Sequence, residues 1–429
     1  MLDFLTTGAR RTRVGFRIRR GLDLSLPGAP RPMIDDGIGI DTVALMVADY
    51  PGLRPAMKVA QGDRVAAGDA LFADRRRPDL VFTAPVAGTV VRVANRSEPL
   101  EAQTVEIVRD GEDARRFETA TAAMDRDSVT AVLLESGLWP AFRARPFDRI
   151  PDPGETPEAI FVTAMASDPL AGDPAAIIAA HAARFEKGVE VLGCLGDGPV
   201  HVCQGPGPAL AKGSVVFDGP HPAGLPGTHI HFLHPVDAGG TVWHLDCQDV
   251  IAIGRLFAEG EPWRERVVAL AGPGVRDPRL CSLPLGANLD ELTAGQLKAG
   301  DQRVISGSVL SGRRARYLGR YHRQVSVLPE GWDVPAGVFG PIAGPVSTAQ
   351  KGAPGPLLAL DAFERVMPLG LLPVPLLRAL SVGDRDAAVR LGCLELVEED
   401  LALMSYVCPG RGEYGPLLRR MLRRIEDQG

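Results

Sequence analysis

The chain is 429 residues long, with 45% hydrophobic residues, 5% aromatics, 49 glycines and 37 prolines. Such a length suggests two to four domains, and the glycine and proline content favours short strands and turns over long helical bundles. A net charge of -6 gives no global nucleic-acid footprint. No stretch approaches the ~18 continuous apolar residues of a spanning helix, and the N-terminus lacks the apolar core of a signal peptide.

A cytoplasmic chain with only peripheral membrane contact is therefore expected. The six cysteines, at 194, 203, 247, 281, 393 and 408, include no CxxC pair, and no disulfide framework is expected.

In chain order, residues 1–20 read as a basic extension because of the arginine-rich run at 9–20. Such a run is ordinarily solvated; the sharper alternative is attraction to anionic lipid headgroups. Residues 21–115 alternate short apolar strands with Gly-Asp turns, an all-β signal. Their pattern, Gly62-Asp63-Arg64-Val65 with Gly68 and Leu71, then Ala84-Pro85 with Gly88 and Val90, resembles the biotinyl/lipoyl-like barrel-sandwich hybrids. The hairpin that carries the carrier lysine in those domains reads Asp74-Arg75-Arg76-Arg77-Pro78-Asp79. An arginine cannot form the carrier amide, so this is a copy without the swinging arm.

Residues 120–260 alternate strands at 159–164, 200–203 and 215–217 with helices at 174–192 and 248–257, which predicts a Rossmann-like α/β layer with a mainly parallel sheet. Asp173 and Pro174 are N-cap and first-turn residues of the first helix. Residues 262–328 resemble a small β-grasp-like domain of the soluble-ligand-binding (SLBB) type. Residues 329–360 read as a Gly/Pro-rich linker. Residues 361–429 turn helical, with an amphipathic segment at 417–425. The fold class expected is thus multidomain α+β.

Several runs then carry a resemblance over nearly the whole chain: Phe82-Thr83-Ala84-Pro85, Glu135-Ser136-Gly137-Leu138-Trp139, Gly227-Thr228-His229-Ile230-His231, Tyr317-Leu318-Gly319-Arg320-Tyr321-His322 and Val407-Cys408-Pro409-Gly410. In number and order they are similar to the NqrA family, related in plan to RnfC and to the flavin-binding subunit of complex I. The resemblance implies a peripheral subunit on the cytoplasmic face of the inner membrane. It implies membership of a six-subunit, Na⁺-pumping NADH:ubiquinone oxidoreductase, with NADH, flavins and Fe-S clusters in the other Nqr subunits, NqrB to NqrF, ubiquinone as substrate, and no activity alone. Two departures stand out: about fifteen residues precede the usual start, and residues 329–360 are shorter and richer in Pro and Gly.

The cofactor motifs of the relatives can be checked residue by residue. The flavin loop Gly-Leu-Gly-Gly-Ala-x-Phe-Pro corresponds to Gly137-Leu138-Trp139-Pro140-Ala141-Phe142. Pro140 lacks an N–H, and Trp139 and Phe142 are too bulky for a phosphate cradle. The ferredoxin-like spacing counted back from Cys408 falls on Met404, Leu401 and Glu398, leaving one thiolate where a cluster needs four. No flavin or cluster of its own is expected, and Cys408 reads as a packing residue.

Six of the eight histidines lie between 201 and 244. On a strand His229 and His231 would face one side, as in some metal sites, but the third ligand is missing and no metal is expected. The Gly219, Gly224 and Gly227 turn lacks the acidic residues of a nucleotide loop. A quinone needs apolar aromatic surface and donors for its carbonyls; the replaced flavin loop supplies Trp139, Phe142 and Phe147 with Arg143 and Arg145. Tyr321 with His322 is the second candidate. The alternatives are a docking subunit without a quinone site, or a free-standing flavin-dependent NADH dehydrogenase, against which the lost motifs argue.

Overall fold

The computed structural model describes residues 15–94, 103–119, 124–236, 239–331, 348 and 355–428. The basic run at 9–14 and most of the segment read as a linker, 329–360, lie outside the described residues.

Residues 15–20 correct the expected tail. Gly15–Arg17 is a strand, parallel to Val215–Asp218. Phe16 stacks on Phe217 with ring centroids 5.0 Å apart, and Ile18 is buried. The alternation Phe16, Arg17, Ile18, Arg19 is the period-2 pattern of a strand. A second strand, Arg31–Asp35, pairs in parallel with Arg279–Pro284. The first 35 residues thus bind two other domains together before the barrel begins.

That barrel is two antiparallel sheets. One joins Thr42–Met46, Thr104–Arg109, Gly88–Val93 and Arg64–Val65; the other joins Pro55–Met57, Ala70–Asp74 and Arg77–Thr83. Inward residues of both, among them Leu71, Phe72, Phe82, Val90 and Ile107, are buried. The lysine-free hairpin turns at Arg75 and Arg76, which donate to the Pro55 and Gly52 carbonyls.

The α/β layer has the sheet order Gly15–Arg17, Val215–Asp218, Val200–Gln204, Ala159–Ala164, Val242–Asp246, Arg143–Arg145. Only the last strand runs antiparallel to its neighbour. The Asp173 carboxylate accepts from the Ala175 N–H as the cap predicts, but the helix breaks at His181 into Pro174–Ala180 and Ala182–Leu192. Gly188 and Gly254 let the second of these and Cys247–Glu259 touch backbone to backbone: a Cβ on Gly254 would lie 1.7 Å from the Arg184 carbonyl.

The β-grasp sheet runs Gln302–Ser306, Gln324–Pro329, Glu265–Ala271, Arg279–Pro284, Arg31–Asp35, with the short helix Leu289–Thr293. Helices Asp361–Val366, Pro373–Val382, Arg385–Arg390, Ala402–Val407 and Tyr414–Glu426 enclose their own core, including Phe363, Leu376, Leu401, Met404 and Leu418. No helix among the described residues is long and apolar enough to cross a membrane.

Candidate functional site

The barrel, the α/β layer and the β-grasp sheet meet around a cleft of about 640 Å³, open to solvent. The barrel contributes Met46, Asp49, Tyr50 and the stretch Phe82-Thr83-Ala84-Pro85; the α/β layer contributes Ser136, Gly137, Leu138 and Pro140. Trp263, Arg264, Leu285, Gly286, Leu318 and Arg320 complete the wall. The cleft is thus mostly apolar, with few polar groups converging on it, the usual make-up of a small-molecule site.

Gly137 stands at φ +73°, and a Cβ there would meet the Thr83 hydroxyl at 2.5 Å. This glycine lets the loop press against the barrel. The following residues, Trp139–Ala141, form a tight helical turn rather than an open phosphate cradle.

The polar side of the cleft is tightly built. Arg320 donates its backbone N–H to Asp49 at 2.8 Å and its guanidinium to Asp249 at 2.9 Å. Asp249 also accepts from Arg266 at 2.8 Å. Burial opposes ionisation of Asp249, but the two arginines hold its carboxyl below the usual range. Arg313 also pairs with Asp49. Tyr50 packs edge-on to Phe82, ring centroids 4.5 Å apart; burial pushes its ionisation far up, against the opposing charge of Arg320.

The side chains first singled out for a quinone do not form one opening. Trp139 and Phe142 are fully buried, packed with Trp243 at centroid distances of 5.4 and 5.5 Å. The Trp139 indole donates to the Pro151 carbonyl at 2.9 Å. Arg145 is fully buried and donates to the Glu395 carbonyl at 2.8 Å and to Asp400 at 3.3 Å. Arg143 pairs with Asp148 and lies 4.3 Å over the Tyr321 ring. Phe147 packs on the helical core. Aromatic and basic residues here close an interior rather than line a slot.

The second pair is nearer the cleft but engaged. The Tyr321 hydroxyl donates to the Pro140 carbonyl at 2.7 Å, and burial pushes its ionisation up to about 12. His322 Nδ1 lies 2.7 Å from the Ser306 hydroxyl, and burial lowers its pKa to about 4. Sequence reasoning missed Tyr50, Asp49, Trp263 and Arg264; only the Phe82–Pro85 and Tyr317–His322 runs pointed this way.

The histidine run also differs from expectation. Pro226–Leu233 is a helix, so His229 and His231 diverge. His229 Nε2 lies 3.0 Å from the Ala223 carbonyl, and His231 Nδ1 lies 2.6 Å from Glu395. No cluster of metal-ligating groups occurs among the described residues. The glycine turn serves docking: a Cβ on Gly227 would meet the Asp400 carboxylate at 2.2 Å. An anion from the helical unit already stands against it.

The cluster positions are filled by protein. Leu401, Met404 and Cys408 are all buried in the helical core, and Cys408 Sγ lies 3.2 Å from the Tyr414 hydroxyl. One thiol among apolar side chains does not fit an iron–sulfur cluster.

Three family models match this chain: the NqrA N-terminal barrel-sandwich hybrid domain over residues 16–110, the NqrA second alpha/beta domain over 124–262, and the NQRA C-terminal domain over 267–316. Relatives that are by name the NqrA component of a Na(+)-translocating NADH-quinone reductase are 49% identical in Klebsiella pneumoniae (strain 342), 49% in Serratia proteamaculans (strain 568) and 48% in Pseudomonas aeruginosa (strain UCBPP-PA14). Each alignment covers 96% of this chain and all of the relative. Among solved structures, an NAD+-reducing [NiFe]-hydrogenase in the air-oxidized state overlaps 48% of this chain and 47% of its own at a TM-score of 0.33 and 11% identity, too low to show a shared fold.

Proposed function

This chain belongs to the NqrA family, and from that premise we propose that it is the NqrA component of a Na⁺-translocating NADH-quinone reductase, acting on the quinone side of the complex. It takes part in ubiquinone reduction and assembly, docked on the cytoplasmic face of the inner membrane against five partner subunits that hold the NADH site, flavins and iron–sulfur clusters. The names of its relatives along their full length support the complex. The observation that carries the quinone side is the apolar three-domain cleft, walled by Tyr50, Phe82, Leu138 and Trp263 with Arg264 and Arg320 on its polar side. A quinone ring is a flat apolar body with two electron-rich oxygens, and this wall offers both kinds of contact.

The chain's own residues bind and orient; they do not carry electrons. The loop at 137–142 and the single thiol of Cys408 do not fit a flavin or a cluster, so the redox groups belong to partner chains. The burial of Trp139, Phe142 and Arg145 favours a second reading, a docking subunit with no quinone site. The two separate on one experiment. The purified chain should be colourless in visible light, and ubiquinone-1 should quench its tryptophan fluorescence saturably. A yellow or brown protein would refute the cofactor reading, and a chain blind to quinone would leave docking alone.

A further inference from the structure

Tyr50 is only 4% exposed, yet its ring forms part of the cleft wall. Its hydroxyl has no hydrogen-bond partner among the described residues. Buried hydroxyls are ordinarily bonded, so an unpartnered one at the edge of an apolar cleft marks where a ligand oxygen belongs. The neighbouring groups are spoken for: Tyr321 donates to Pro140, and the Arg320 guanidinium is held by Asp249. Arg264, the other cation of the cleft, reaches only the Arg115 carbonyl at 3.4 Å and makes no ion pair among the described residues.

We propose that the Tyr50 hydroxyl donates the hydrogen bond that fixes a carbonyl oxygen of a quinone ring in this cleft, with Arg264 supplying positive charge to the same site. The inference rests on the quinone-side reading above. The bond orients the ring against the apolar wall of Phe82 and Leu138. It strengthens as the ring oxygens gain negative charge on reduction, since hydrogen bonds to charged acceptors are the stronger ones. Tyr50 remains a neutral donor, because burial disfavours its ionised form; it positions the ring and supplies no proton.

The test is a ubiquinone-1 titration of the full chain followed by tryptophan fluorescence, in the wild type and in the Tyr50→Phe and Trp263→Phe variants. Trp263 lines the cleft whereas Trp139 and Trp243 lie in the interior, so a cleft ligand gives a response that Trp263→Phe removes. Tyr50→Phe deletes one oxygen and is expected to raise the Kd about fivefold, the scale of one net hydrogen bond, with its Tm unchanged. An unchanged Kd in folded Tyr50→Phe overturns the inference and leaves the quinone reading standing. A wild type with no Trp263-dependent response overturns the reading at this cleft, and the inference with it. If Tyr50→Phe folds poorly, duroquinone and durene, one ring with and without carbonyls, decide on the wild type: equal binding overturns the inference, and preference for duroquinone supports it.

Discussion

The Trp139 indole donates to the Pro151 carbonyl and meets Phe142 and Trp243 in a closed aromatic group. Truncating a fully buried tryptophan removes its packing and leaves a cavity, at a cost of about 3–5 kcal/mol. Trp139→Ala should therefore lower the Tm sharply, as read by circular dichroism, and any loss of quinone response should track unfolding. His322 gives a pH signature. Burial holds its pKa at about 4, below the ordinary histidine value of 6.5, so the folded state resists its protonation. A depressed pKa contributes stability that is full above 6.5 and is lost as pH falls through 4. His244, likewise buried and lowered to about 4, acts in the same sense. Melting curves between pH 7 and 4 should show this decline, with a shallower slope in His322→Asn.

The stretch after Leu396 locks the helical unit to the α/β layer. Arg145 reaches Asp400 and the Glu395 carbonyl, and Arg419 reaches Glu398 and the Phe147 carbonyl. Removing one partner of a buried pair strands the other charge, costing about 3–5 kcal/mol. Arg145→Ala should release the helical unit first, visible as early proteolysis within residues 361–428, and Arg145→Met with Asp400→Leu should recover much of that loss.

Glu399 faces Asp400, Arg145, Asp148 and Asp168; burial, then the Asp400 charge, raises its pKa to about 8. A raised carboxyl gives stability that is present below the ordinary value of 4.5 and lost as pH rises through 8. Glu399→Gln should flatten the alkaline side of the Tm profile. At this scale the sequence was only partly legible. The capping pattern at Asp173 held, because a cap is local. The Pro226–Leu233 helix was misread as a strand, because it is buried nearly all round and shows no polar face to set its period; Pro226, acceptable in a first turn, was the signal available.

Across the whole molecule, the order of barrel, α/β layer, β-grasp sheet and helices was legible because each has its own periodicity and turn chemistry. The path of residues 15–35 was not, since Gly15–Arg17 and Arg31–Asp35 pair with strands about two hundred residues away, and long-range pairing leaves no local mark. The cleft was hidden for the same reason. Tyr50, Leu138 and Trp263 are ordinary apolar residues until three domains bring them to one wall, whereas Trp139 and Arg145 carried the right chemistry in an interior.

The central claim is that quinone occupies this cleft in the working complex, and filling the cleft tests it most directly. Leu285 lies on the wall and is half-buried, so Leu285→Trp takes up the space a ring would use. In the assembled, purified complex, NADH oxidation by ubiquinone should fall about tenfold, as expected when overpacking takes roughly 1.4 kcal/mol from binding. NADH oxidation by ferricyanide should be unchanged, and the mutated chain should remain in the complex. Undiminished quinone reduction with that chain in place would contradict the account and return it to a docking role.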